Sequence, residues 1–350
     1  MPLRAPDPEA LAAGVLAGER RALAKAITLV ESTRAEDKDA AQRLLERVLP
    51  ATGKAARVGV SGVPGAGKST FIEAFGLYLI GRGMKVAVLA VDPSSARSGG
   101  SILGDKTRMQ RLSSAPEAFI RPSPSGGSLG GVARRTREAL LVCEAAGYDV
   151  VIVETVGVGQ SEVAVSSMVD FFLVLMLPGA GDELQGIKKG ILEIADALAV
   201  NKADGDNLPR ATRAVADLSA ALKFFRHATP HWTPPVLSIS ALEDRGMDEV
   251  WATIERHRQA LGASGDLVKR RRAQQQAWLW SMLEEGLKQR FLARDDVREL
   301  LPELEAGVAA ARITPTEAAR RLLGVLDEGP TSHPKTAERT LSDSAETVGR

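Results

Sequence analysis

Residues 57–69 read Arg-Val-Gly-Val-Ser-Gly-Val-Pro-Gly-Ala-Gly-Lys-Ser, a short apolar run that meets a glycine-rich turn and then a lysine and a hydroxyl. Gly62, Gly67, Lys68 and Ser69 satisfy the spacing G-x-x-x-x-G-K-[ST], in which residues without side chains let backbone N–H groups wrap a phosphate. Gly65, Ala66, Gly67 and Thr70 belong to the same cradle; Lys68 is placed to reach the β and γ phosphates, and Ser69 to ligate Mg²⁺. A glycine-rich turn that binds nothing has the same composition, so the flanking pattern decides. Val58–Ser61 has the apolar content of a buried strand, and Phe71, Ala74, Phe75, Tyr78 and Leu79 recur at helical spacing. A strand, a loop and a helix N-terminus in that order place free N–H groups and the positive end of the helix dipole at the anion.

The rest of the chain extends this unit into an alternating pattern. Strand candidates are Val58–Ser61, Val86–Val91, Val150–Glu154, Phe171–Leu177, Ala197–Val200 and Val236–Ile239. Most are apolar throughout, which marks parallel strands covered on both faces. The expected fold is α/β: a doubly wound, mostly parallel sheet with ligands at the carboxyl ends of its strands, carrying helical extensions at both ends. The expected organisation is a helical extension over 1–54, a nucleotide domain over 55–261, a helical arm over 262–326 and an unstructured Ser/Thr/Glu-rich tail over 327–350. The first extension has to pack on the domain or on a partner.

Position gives three acidic residues meaning. Asp92 follows the strand that ends at Val91, Glu154 ends its own strand, and Asp105 lies in a glycine-rich loop. All three are candidates to face the phosphate site, because Mg²⁺ takes an octahedron of hard oxygens, usually one or two carboxylates with phosphate, hydroxyl and water. Each also reads as a solvated loop carboxylate. Glu154-Thr-Val-Gly157 fits an acidic-x-x-Gly element whose glycine N–H senses a γ-phosphate. Downstream, Asn201-Lys202-Ala203-Asp204 and Ser240-Ala241-Leu242 each follow a strand. A carboxylate accepts two hydrogen bonds from guanine, whereas adenine has no donor at that edge and leaves the charge unpaired. GTP and GDP are therefore the expected ligands.

Composition limits the partners. With 45 Lys plus Arg against 44 Asp plus Glu, the net charge of +1 gives no reason to expect nucleic acid or an anionic membrane. The single cysteine, Cys143, cannot form an internal disulfide, and no apolar run approaches the ~18 residues that cross a bilayer. A soluble cytoplasmic protein is expected.

Across roughly residues 8–325 the sequence resembles the MeaB-type (ArgK-like) GTPases, SIMIBI-class switches that accompany adenosylcobalamin-dependent methylmalonyl-CoA mutase. The resemblance rests on Gly62–Ser69, Val91-Asp-Pro-Ser-Ser95, Gly104-Asp-Lys-Thr-Arg-Met109, Glu154-Thr-Val-Gly-Val-Gly-Gln-Ser-Glu162 and Asn201–Asp204. It implies Mg²⁺ ligation by Ser69, Asp92, Asp105 and Glu154, and catalytic parts for Lys68, Asp105 and Glu154. It also implies a third switch over residues 178–189 that relays contact with the mutase, with Lys188 as its functional lysine. By chemistry alone Lys188 and Lys189 read equally as solvated lysines on the following helix. The family resemblance further implies a homodimer through the C-terminal arm. There Trp280, Leu283, Leu287 and Phe291 share a face and Trp278 and Met282 widen it, although a helix packed on its own domain gives the same stripe.

Two other classes remain open at this level. A metallochaperone GTPase would share the switch, with soft ligands drawn from Cys143, His227, His231, His257 and His333. A transporter-associated kinase would use the same phosphate loop toward an acceptor.

Overall fold

The computed structural model describes residues 7–91, 109–122, 129–155, 161–179, 189–224, 229 and 231–327. Three helices come first: α1 (Pro8–Leu16), α2 (Arg20–Val30) and α3 (Lys38–Val48). Asp7 caps α1 by accepting the Glu9 N–H, with Pro8 at a first-turn position that needs no donor. The nucleotide fold comes next as β1 (Ala56–Gly62), α4 (Lys68–Gly81), β2 (Val86–Val91), α5 (Gln110–Ser113), β3 (Ala118–Arg121), α6 (Leu129–Ala145) and β4 (Val150–Thr155). It continues with α7 (Ser161–Ser166), β5 (Phe171–Met176), α8 (Lys189–Ile194), β6 (Ala197–Val200), α9 (Leu208–Leu222), β7 (Val236–Ser238) and α10 (Met247–Ser264). The last described elements are α11 (Asp266–Leu292), α12 (Asp295–Ala309) and α13 (Pro315–Gly324).

The seven described strands form one sheet in the order β3-β2-β4-β1-β5-β6-β7, every neighbouring pair parallel. Strands β2, β4, β5 and β6 are buried throughout, as expected of a sheet covered on both faces. The sequence pattern missed β3. Its Ala-Phe-Ile-Arg is four residues long, too short for a period, and forms an edge.

Alternation along β4 shows how the faces are filled. Val150 and Ile152 join Phe71, Phe75, Val250 and Trp251 on one side; Val151 and Val153 join the other. That second side also holds Leu11, Val15, Leu23, Ile27, Leu44 and Val48 of the first three helices, together with Val142 and Cys143 of α6. The amino-terminal extension thus packs on its own domain. Leu23, Ile27, Leu44 and Val48 are each at most 1% exposed, and full burial of such side chains contributes about 1.5–3 kcal/mol apiece.

The amino-terminal edge of the sheet is laced by ion pairs. Asp149, Asp170 and Asp196 each precede a strand by one residue and accept the backbone N–H of Lys85, Arg57 and Phe172. Two adjacent arginines of α11 then engage two of these carboxylates bidentately. Arg270 reaches Asp196 at 3.1 and 3.0 Å, and Arg271 reaches Asp170 at 2.7 and 2.6 Å. Arg271 also donates to the carbonyls of Gly53 and Ala55, while Arg57 and the Gly53 N–H satisfy the fully buried carboxylate of Glu144. Asp196 collects further donors and neighbours: Thr229 Oγ1 at 2.8 Å and His257 Nε2 at 3.4 Å. Burial alone pushes the Asp196 carboxyl up, but the His257 imidazole and the Arg270 guanidinium outweigh it and hold the pKa at about 2.

The chain divides into two compact units at Trp278/Leu279. Trp278 lies under the guanidinium of Arg137, 5.9 Å from its ring centroid, rather than widening the apolar stripe as the sequence pattern suggests. In the second unit Leu279, Trp280, Leu283 and Leu287 of α11 are 46–65% exposed. Val297, Leu304 and Ala318 are buried, and Thr314 caps α13 through the Glu317 N–H.

Candidate nucleotide-hydrolysis site

The loop between β1 and α4 has the backbone that phosphate binding requires. Gly65 and Gly67 take φ of +78° and +83°, in the left-handed region. Gly62 lies against β5, where a Cβ would fall 2.5 Å from the Leu175 carbonyl oxygen, and a Cβ on Gly67 would fall 2.8 Å from Asn201 Nδ2. No side chain caps α4, whose N-cap is Gly67. The first-turn N–H groups of a 14-residue helix therefore point at the loop, a ready anion site.

Lys68 arches over this loop and donates to the Gly62 carbonyl at 2.9 Å and the Val63 carbonyl at 3.5 Å. Burial pulls its ammonium below the ordinary lysine range, against the opposing pull of Glu154 and Glu162. Glu162 is a site residue that sequence reasoning missed; its charge reaches the loop lysine from the start of α7, with the side chain 3% exposed. It closes the motif that begins at Glu154, but no helix or strand period relates the two, so spacing alone could not have singled it out. Glu154, at the carboxyl end of β4 and 4% exposed, accepts the Ser69 hydroxyl at 3.3 Å. A hydroxyl and a carboxylate in contact form the hard-oxygen pair that suits Mg²⁺. Asp92, Asp105, Gly157 and Lys188 lie outside the described residues. Among the described residues no three His, Cys, Asp or Glu side chains gather as a metal group.

Next to the loop, Asn201 ties three segments together. Its Nδ2 donates to the Ala66 carbonyl at 2.8 Å, and its Oδ1 accepts the Ala241 N–H at 3.0 Å. Lys202 takes a φ of +60°, rare for a residue with a side chain, and Asp204 Oδ2 accepts the Ser240 hydroxyl at 2.5 Å. Leu242 is 80% exposed at the rim. The structure thus brings Gly65, Ala66, Gly67, Lys68, Ser69 and Thr70 to the same end of the sheet as Glu154, Asn201, Lys202, Asp204, Ser240, Ala241 and Leu242.

A seven-stranded parallel sheet, a glycine-rich loop opening a helix, and an Asn/Asp loop braced against it define a P-loop GTP hydrolase. The sequence profile described as "Methylmalonyl Co-A mutase-associated GTPase MeaB" matches residues 23–296, and the chain belongs to this family. A "Putative GTPase" of Caulobacter vibrioides is 56% identical over 317 residues, spanning 91% of this chain and 97% of that one. The mouse protein called "Methylmalonic aciduria type A homolog, mitochondrial" is 48% identical over 89% of this chain and 77% of its own length. Among solved structures, one titled "Crystal structure of LAO/AO transport system kinase" superposes with a TM-score of 0.73 at 42% identity, covering 91% of this chain and 97% of that one. No described helix is long and apolar enough to cross a membrane.

Proposed function

We propose that this GTPase is a Mg²⁺-dependent switch acting as a chaperone for adenosylcobalamin-dependent methylmalonyl-CoA mutase or a related acyl-CoA mutase, gating cofactor loading and protecting the mutase from inactivation. The observation that carries the reading is the family match over residues 23–296, on a chain whose phosphate loop and Asn201/Asp204 loop are in contact. The uncapped α4 N-terminus and Lys68 hold the phosphates, Asp204 accepts the guanine donors, and Ser69, Asp92, Asp105 and Glu154 are the residues that would hold Mg²⁺. The ion supplies charge neutralisation at the transferred phosphoryl group. Lys68 stabilises the same developing charge from the loop, and Gly157 offers its N–H to the γ-phosphate.

Residues 178–189, which follow β5 in the chain, form the relay to the mutase through Lys188. The arm over 262–326 pairs two copies through the exposed stripe of α11, in a cytoplasmic homodimer without nucleic acid or membrane as partner. Titration of the purified protein with the mutase, with and without a non-hydrolysable GTP analogue, tests the client: nucleotide-dependent affinity and stimulated turnover are expected, and stimulation by no acyl-CoA mutase overturns the assignment. Cys143 is fully buried, and that burial pushes its thiol up, which speaks against soft-metal delivery through it. The transport-kinase title of the solved relative gives the rival a test of its own, phosphate appearing on a protein acceptor instead of in water.

A further inference from the structure

Asp204 can discriminate guanine only if its carboxylate is held still, and the structure shows two supports for it. The first is the Ser240 hydroxyl on Oδ2. The second acts one peptide earlier: the Arg245 guanidinium donates from Nη2 to the Ala203 carbonyl, the oxygen of the peptide unit whose nitrogen belongs to Asp204. Fixing that oxygen fixes the plane from which the Asp204 side chain departs. Both supports rise from a single pair of residues, since Ser240 and Arg245 exchange backbone hydrogen bonds at 3.1 and 2.9 Å across a tight turn.

The turn itself has little freedom. Asp244 and Gly246 take φ of +53° and +83°, and a Cβ on Gly246 would fall 2.9 Å from Ile239 Cγ2. The Glu243 N–H donates to the Ser240 hydroxyl oxygen at 3.2 Å, aiming that hydroxyl's proton at Asp204. The Glu243 carboxylate lies 3.4 Å from the Arg245 guanidinium. Asn201-Lys-Ala-Asp204 is tied to the same segment by the Ala203 N–H to the Ile239 carbonyl at 3.0 Å.

We propose that Arg245 is a positioning residue for base selection: its guanidinium braces the Ala203–Asp204 peptide against the Ser240–Arg245 turn and so sets the direction of the carboxylate that reads the guanine 2-amino group. The proposal rests on the guanine-nucleotide reading of the site. In this role Arg245 acts through Asp204. A half-exposed arginine at such a place also serves simple loop stability, and the two roles differ in what they move. Positioning changes the ratio of affinities for GTP and ITP, which lacks the 2-amino group; loop stability changes the melting temperature and leaves that ratio alone.

The test measures dissociation constants of GTP, ITP and ATP for the full chain, for Arg245→Ala and Arg245→Lys, and for Arg245→Ala combined with Asp204→Ala. Arg245→Ala is expected to lower the GTP-to-ITP preference about 3- to 10-fold, the net contribution of roughly one hydrogen bond, chiefly by weakening GTP. Arg245→Lys, which keeps a donor, retains part of the preference and covers the case in which the alanine variant does not fold. In the Asp204→Ala background the Arg245 change has no further effect on the ratio, since the group it positions is gone. An unaltered ratio in Arg245→Ala, or an equal loss with and without Asp204, overturns the proposal. A wild type that binds GTP, ITP and ATP alike overturns the guanine reading itself, before any variant is compared.

Discussion

Replacing Arg270 by Met removes the guanidinium that engages both oxygens of Asp196 and leaves a carboxylate that is 1% exposed with the Phe172 N–H, Thr229 and His257 around it. Taking one partner from a buried pair costs about 3–5 kcal/mol, because the other charge stays desolvated. The pH dependence identifies the source of that loss. Asp196 titrates at about 2 in the folded protein against an ordinary value of 3.8, so its stabilisation is complete above the unfolded value and is lost as pH falls through about 2. At ~1.4 kcal/mol per unit the shift is worth about 2 kcal/mol. Because Arg270, beside His257, is one of the groups that hold this carboxyl down, the gap between wild type and Arg270→Met should narrow as pH falls from 4 to 2. Urea unfolding followed by tryptophan fluorescence reads it directly, since Trp232 donates to the Asp196 carbonyl at 2.7 Å. The double variant Arg270→Met/Asp196→Asn should recover part of the loss. A single-variant loss below ~1 kcal/mol, or a gap that stays constant down to pH 2, refutes this account of the pair.

Asp204→Asn should shift preference from guanine toward xanthine nucleotides, which carry a carbonyl in place of the amine; unchanged GTP selectivity in calorimetry speaks against Asp204 as the base reader. Glu154→Gln should lower Mg²⁺-dependent turnover by at least ~10-fold while weakening nucleotide binding less, checked by single-turnover hydrolysis beside equilibrium binding. Leu44→Ala, at a fully buried position of α3, should cost about 2–5 kcal/mol in denaturant unfolding. Lys188→Ala should keep intrinsic turnover and mutase binding nearly unchanged and lose the stimulation, read by phosphate release with and without the mutase.

Legibility followed the length of the chemical signal. β2, β4 and β5 announce themselves as apolar runs of six residues or nearly so, whereas β3 offers Ala-Phe-Ile-Arg and no period. The phosphate loop and the Asn201–Asp204 loop were readable because their chemistry dictates residue type at fixed spacing. What binds them to each other was not: Asn201 reaches back 135 positions to the Ala66 carbonyl, and no local pattern encodes that. Lys269-Arg-Arg-Arg272 looks like a solvated run, yet its middle two residues close the edge of the sheet, because the matching Asp170 and Asp196 lie far away in sequence. Trp278 has helical spacing with the apolar stripe, but Arg137 claims it from another element.

The placement of the first three helices also bears on synthesis. They are made before any strand of the sheet, and although they pack on one another, part of their apolar surface joins the core shared with α6 and the sheet. From the end of α3 at Val48 to the end of α6 at Ala145 a ribosome moving at ~5–20 residues per second needs about 5–20 s. For that interval Leu23, Ile27 and Leu44 lack the part of their cover that α6 and the sheet supply. Translation rate across residues 49–145 and access to a holdase over this window should therefore influence the soluble yield of the protein.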